Sequence, residues 1–187
     1  MFGTTTNWAK GMRKNGAPDP DPGKEATIPG SLVSPVEGGV TNWSPPAYSP
    51  DTGLLYINEH NGFNLVYLTE PDPRGSMGLA GKSIGGVGAW PGALQAIDYK
   101  TGKAVWRHEF PGVNGAGGSG GLLATAGKLV FGGDGGGNLV AFDATNGTPL
   151  WHTHIGSVSN APQTYAIDGR QHVLVAVDDS LYAFALY

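Results

Sequence analysis

Apolar and polar residues alternate along this chain in short runs, and the runs are separated by Gly, Pro, Asp, Asn and Thr. The clearest run is Leu94–Asp98, where Leu94, Ala96 and Asp98 alternate with Gln95 and Ile97, as side chains do on the two faces of a strand. Asp98-Tyr99-Lys100-Thr101-Gly102 then reads as a turn, because Asp and Thr side chains bond nearby backbone and Gly accepts positive φ. Lys103–Phe110 returns as the next strand and carries Trp106. The same grammar places strands on either side of a Pro50–Gly53 turn. Further strands are expected at Gly120–Ala126, Leu129–Gly132, Leu139–Asp143, Leu150–Ile155, Gln163–Ile167, Gln171–Val177 and Leu181–Tyr187. An Asp168-Gly169 turn separates two of these.

The pattern repeats. Leu94–Trp106, LQAIDYKTGKAVW, comes back as Leu139–Trp151, LVAFDATNGTPLW, with Ala141, Asp143, Gly147 and Trp151 each 45 residues beyond Ala96, Asp98, Gly102 and Trp106. A weaker copy of its front half, Leu181–Ala185, begins 42 residues after Leu139. A fixed period in the forties containing strand-like segments predicts blades of a β-propeller or a related repeat. A small Ala and a large Trp at fixed places predict a Trp lying flat on the neighbouring repeat, with Ala and Gly allowing close approach.

Composition fits many short strands. Gly numbers 32 and Pro 14, and only 14% of residues are charged, which disfavours helices. Length changes the picture: 187 residues, at about 45 per blade, barely reach a closed ring of four blades and cannot reach eight. A fragment is expected, or a short chain that completes a ring with other copies. A net charge of −4 gives no electrostatic footprint for nucleic acid. The absence of Cys excludes disulfides, thiolate metal sites and a covalently attached c-type haem. No run is long and apolar enough to span a membrane as a helix. Met1–Thr4 does not open a signal peptide; if the chain is the tail of a longer protein, the export signal would lie upstream.

Several segments test as other chemistry and fail. Met1–Ser31 is the least patterned; Ala17–Gly23 (APDPDPG) excludes helix and central strand, and Gly11–Gly30 reads as a surface connection. Thr69–Gly92 reads as an insert between the second and third strands of a blade, on one face of the disc. Within it, Gly81-Lys82-Ser83 lacks the glycine spacing of a phosphate loop, and Trp90 either shapes an entrance or anchors the insert. Asp134–Asn138 is a hairpin without the alternating acidic ligands of a calcium loop. His152 and His154 share one face of an outer strand, a chelating spacing with no third ligand in view.

Ala96, Asp98, Thr101, Gly102 and Trp106 form A-x-D-x-x-T-G-x-x-x-W, which resembles the tryptophan-docking motif of quinoprotein dehydrogenases. These are eight-bladed propellers that bind pyrroloquinoline quinone (PQQ). In the second copy Asn146 stands in the place of Thr101. Gly38–Leu54 resembles the G-G-x-N-W-x-P-x-x-Y-S-P-x-T-G-L string of quinoprotein alcohol dehydrogenases. That resemblance implies that Asn42 lies in the cofactor plane and hydrogen-bonds the quinone, with Trp43 beside it. On the residues alone, a turn-capping Asn42 and a core Trp43 remain open. Ser119–Gly127 resembles the family string W-G-G-x-L-A-T-A-G, with Ser119 where methanol-type enzymes carry a cofactor-contacting Trp. The ending Ser180–Leu186 resembles a subgroup with no cytochrome domain behind the propeller.

The expected fold is therefore all-β, a partial β-propeller with two full blades and one incomplete blade. Its divisions are a blade end and connection over 1–31, a blade over 32–111 with an insert at 69–92, a blade over 112–156, and an incomplete blade over 157–187. The resemblance implies cofactor contacts from Asn42, Trp43, Ser119 or Gly120, and Asp178. It implies calcium ligands and a catalytic Asp on earlier blades, so no catalytic or metal residue is assigned to this chain. The implied activity of the completed protein is PQQ-dependent oxidation of an alcohol or sugar in the periplasm. A cytochrome or quinone would take the electrons, and this piece would be inactive alone. The alternative is a non-catalytic propeller scaffold for binding or for outer-membrane protein assembly, which has no need of Gly38–Pro45.

Overall fold

The computed structural model describes residues 6–36, 39–70, 81–87, 91–111 and 120–185. Among these the regular structure is strand throughout, apart from one 3₁₀ turn at Pro22–Lys24. The first large sheet has β4 (Ala47–Ser49), β5 (Leu54–Glu59), β8 (Ala93–Asp98) and β9 (Ala104–Glu109) in that order. The second has β10 (Leu123–Ala124), β11 (Leu129–Gly133), β12 (Asn138–Asp143) and β13 (Pro149–His154). The third has β14 (Gln163–Ile167), β15 (Arg170–Val177) and β16 (Ser180–Ala185). Each is an antiparallel meander, as expected of propeller blades.

The connection from β5 to β8 is longer than any hairpin and builds its own sheet. β6 (Phe63–Tyr67) lies between β3 (Ser31–Val33) and β7 (Lys82–Val87). Near the start of the chain, β1 (Ala9–Met12) pairs with β2 (Pro18–Pro20). The expected surface connection thus contains a strand and a 3₁₀ turn. The prolines allow both, because β2 is an edge strand and Pro22 opens the turn, where a missing N–H costs nothing.

The repeat motif has the same geometry twice. Asp98 Oδ1 accepts the N–H groups of Lys100 and Thr101 at 2.9 and 2.8 Å, and Asp143 Oδ1 accepts the Thr145 N–H at 2.7 Å. Hydrogen bonds from Thr101 hold the Asp98 carboxyl below the usual carboxylate range, and those from Thr145 do the same for Asp143. In both sheets the ladder slips at one place. Ala96 faces Trp106 but Ile97 faces Ala104, and Ala141 faces Trp151 but Phe142 faces Pro149. The extra residues of these bulges, Val105 and Leu150, are exposed, and bulges of this kind sharpen the local twist.

The first two sheets pack face to face through Trp106. Its indole N–H donates to the Ala144 carbonyl at 3.0 Å, and the Tyr56 hydroxyl donates to the same oxygen at 3.0 Å. The ring lies over Gly147, where an added Cβ would fall 2.5 Å from Trp106 Cε3. The expected close approach therefore belongs to Gly147. At Gly102 nothing lies within 4 Å and only φ, +66°, favours glycine. Leu54, Tyr56, Leu94 and Ala96 on one side meet Val130, Val140, Phe142 and Ala144 on the other. Each fully buried large side chain there contributes about 1.5–3 kcal/mol. The second junction has a smaller core of Leu139, Val158, Val175 and Val177. Trp151 makes an edge contact with Phe184 at 5.5 Å and stays 42% exposed. Beside it, a cleft of about 500 Å³ is lined by Leu129, Phe131, Val173 and Phe184 among others.

Candidate functional site

In each large sheet the segment entering the first strand and the hairpin between the second and third strands lie at the same end, a consequence of the meander. That end gathers the segments before β4, β10 and β14, together with the β5–β8 insert and the hairpins after β11 and β15. Asn42, Trp43, Gly120 and Asp178 all fall here. Ser119, Trp90 and Gly38 lie outside the described residues.

The loop that carries Asn42 is pinned on both sides. His60 donates its N–H to the Val40 carbonyl at 2.7 Å, and Leu122 donates its N–H to the Pro45 carbonyl at 3.0 Å. Between these anchors Asn42 is exposed and the Trp43 ring is 71% exposed. The core reading of Trp43 is thereby corrected within this chain, since the ring faces outward.

Gly120–Leu122 forms the next wall. Gly120 is buried at φ +70°, and a Cβ on Gly121 would fall 2.7 Å from both Pro45 Cδ and Ala161 Cβ. The loops before β4, β10 and β14 therefore meet at Gly121, whose backbone packs against the Pro45 and Ala161 side chains and leaves no room for a side chain of its own. The Gly120 carbonyl accepts from Asn58 Nδ2 at 3.2 Å. Asp178 stands further round, in the left-handed conformation at φ +50°. It follows Val177, which bridges to Val158 in the loop before β14.

An ion network sits under the insert. Glu59 is fully buried and accepts from Arg107 Nε at 2.9 Å and from Asn61 Nδ2 at 2.9 Å. Ala93, opposite Glu59 on the intervening strand, is small enough for Arg107 to reach across it. Arg107 also bonds Glu109. Asn61 donates in addition to the Pro91 carbonyl at 3.1 Å, closing the neck of the insert. Burial works against the Arg107 charge, but Glu59 and Glu109 outweigh it and hold its pKa above the usual value.

Other candidates resolve as local structure. Asp134 Oδ1 accepts from the Gly136 and Asn138 N–H groups at 2.8 Å each, so its carboxylate braces its own hairpin. Lys82 and Ser83 lie in strand β7 and not at the start of a helix. Among the described residues no group of three His, Cys, Asp or Glu is placed to hold a metal ion.

A family model described as outer membrane protein assembly factor BamB matches residues 91–186. The 1-butanol dehydrogenase (cytochrome c) of Thauera butanivorans is 36% identical over 91% of this chain and 26% of its own length. The quinoprotein alcohol dehydrogenase PedH of Pseudomonas putida is 38% identical over 90% of this chain and 29% of its own length. The solved quinohemoprotein alcohol dehydrogenase of Comamonas testosteroni superposes with a TM-score of 0.75 at 30% identity, over 94% of this chain and 28% of that one. The chain belongs to the quinoprotein alcohol dehydrogenase family. Its fold is the all-β propeller architecture of that family, in part: the chain spans only between a quarter and three-tenths of the length of these relatives. Within the quinoprotein repeat, the A-x-D-x-x-T-G-x-x-x-W string is the inter-sheet joint made by Trp106, Ala144 and Gly147.

Asn58, Glu59, Asn61 and Arg107 carry no motif. Their signal in the sequence is Leu54–His60, LLYINEH: Asn58 and Glu59 are adjacent, so a buried strand ends with a polar residue on each face.

Proposed function

We propose that this chain forms part of the cofactor wall of a PQQ-dependent dehydrogenase that oxidises an alcohol or a sugar. The observation that carries this is the loop pinned at Val40 and Pro45, which presents Asn42 and Trp43 at the end where three strand-entry loops meet. The donor set suits a rigid, polyanionic aromatic. Asn42 offers a neutral amide that can bond quinone oxygens without a change of protonation. Trp43 offers a ring face. Gly120 and Gly121 let backbone approach closely, and the family resemblance adds Ser119 as a further contact along this wall. Asp178 marks its far edge, where a carboxylate suits a hydroxyl or a cation better than the acid groups of the cofactor.

When bound, PQQ would supply the hydride acceptor for oxidation of the substrate carbon. These residues hold and orient it. The catalytic base and the calcium ligands belong to other blades, so the isolated piece is inactive. The four-stranded sheets serve as two blades and the three-stranded sheet as an incomplete one. Periplasmic location and a cytochrome or quinone acceptor follow from the same reading. The scaffold reading draws on the description of the family model, but that match begins at Pro91 and leaves out Asn42 and the loop from Val40 to Pro45 that carries it. The alignments to dehydrogenases take in about nine-tenths of the chain. The test is reconstitution of the full natural polypeptide with PQQ. Retention of the cofactor, weakened about tenfold or more by Asn42→Ala, supports the reading; a full polypeptide that retains no PQQ overturns it.

A further inference from the structure

We propose that Asn58 is a positioning residue that tethers the Gly120–Leu122 segment to the neighbouring sheet and so sets the shape of the cofactor wall; this rests on the function proposed above. Asn58 is 3% exposed and lies near the end of β5, on the face it shares with Tyr56, towards the second sheet. Its Nδ2 donates to the Gly120 carbonyl, 62 positions away, at 3.2 Å. Its Oδ1 is buried without a hydrogen-bond partner among the described residues.

An amide buried with half its capacity unmet is an expensive filler, and an aliphatic residue would serve the core better. The repeat makes the same point. Tyr56 faces Ala96 as Phe131 faces Ala141, so the counterpart of Asn58 is Gly133, and the fold does not require an amide there. What the amide supplies is a fixed carbonyl at Gly120. That segment is otherwise held at Leu122 by Pro45 and hemmed at Gly120 by the carbonyls of Val158 and Asn160, which an added Cβ would approach to 2.8 and 2.9 Å. Asn58 provides the third side of the clamp. It acts through Gly120 and Leu122, and therefore through Pro45, on the loop of Asn42.

The test uses Asn58→Leu, which fills the site without a donor, and Asn58→Asp, which keeps the shape but replaces the donor with an acceptor. Both are made in the full natural polypeptide. Hydrogen exchange at the Leu122 amide, measured without cofactor, reads the tether directly, and PQQ titration reads its consequence. The expected result is exchange at Leu122 at least tenfold faster in both variants, unchanged protection in β11 and β12, and PQQ affinity at least tenfold weaker. Unchanged exchange at Leu122 overturns the tether, whatever the cofactor does. Faster exchange with wild-type PQQ affinity also overturns the proposal, by making the role merely structural. A wild-type protein that binds no PQQ overturns the proposed function itself, while the exchange measurement still decides the tether.

Discussion

The ring of Trp106 occupies the space that a side chain on Gly147 would need: an added Cβ would lie 2.5 Å from Cε3, 2.8 Å from Cζ3 and 2.9 Å from Cδ2. Two copies of one sequence motif thus meet as the two halves of a joint, the Trp of one on the Gly of the next. The paired glycines should therefore differ. Gly102→Ala is expected to cost about 1–2 kcal/mol, because only its φ of +66° opposes a side chain. Gly147→Ala pays a similar backbone cost and must also displace the indole, so it should cost clearly more. Urea denaturation of the two variants checks the order, and equal losses would contradict the joint.

Trp106→Ala should destabilise by about 3–5 kcal/mol, as expected for an aromatic lost from an interface core. Trp106→Phe should cost only about 1 kcal/mol. The Ala144 carbonyl that loses the indole N–H keeps the Tyr56 hydroxyl, so no acceptor is orphaned. Denaturation midpoints of the two variants, and of Trp106→Phe combined with Tyr56→Phe, check this. The double variant should lose more than the two single variants together.

Arg107→Met strips the guanidinium from Glu59, whose side chain is 0% exposed. Breaking a buried pair from one side costs about 3–5 kcal/mol, because the buried charge that remains loses the guanidinium that faced it. The combination of Arg107→Met with Glu59→Gln should recover most of that loss. Thermal unfolding of the three variants decides it: a double variant as unstable as Arg107→Met would contradict the account.

Much of this architecture is legible in the sequence. The alternation in Leu94–Asp98 and its return at Leu139–Asp143 fix strands that the structure reproduces as β8 and β12. The Trp106 joint is legible because a repeat motif reports a contact between repeats. The bulges at Val105 and Leu150 are not, since alternation carries no mark of a skipped pairing. The β3–β6–β7 sheet is hidden for a different reason: its strands join segments far apart in the chain, and no periodicity encodes which distant partner a strand finds. The ends of the Asn42 loop are equally silent, because the bonds that pin it, His60 to Val40 and Leu122 to Pro45, are made by backbone. Side-chain patterns do not report them.

His108 should make stability pH-dependent. It packs edge-on against Phe142 and Phe110 at 5.0 and 5.6 Å, and burial lowers its pKa below the usual value of 6.5. Below about pH 6.5 the unfolded chain takes up the proton more readily than the folded one. The contribution of His108 is thus complete above pH 6.5 and is lost as pH falls towards the folded pKa. The stability difference between about pH 7.5 and 5.5 should shrink in His108→Phe. Guanidinium denaturation at both values measures it; an unchanged difference would contradict the assignment.

PQQ binding to the full natural polypeptide, compared between wild type and Asn42→Ala, tests the central claim most directly. The cofactor wall predicts a protein that retains PQQ and an Asn42→Ala variant that folds normally but binds it about tenfold or more weakly. Wild-type affinity in that variant, or a full polypeptide that does not bind PQQ at all, would contradict it.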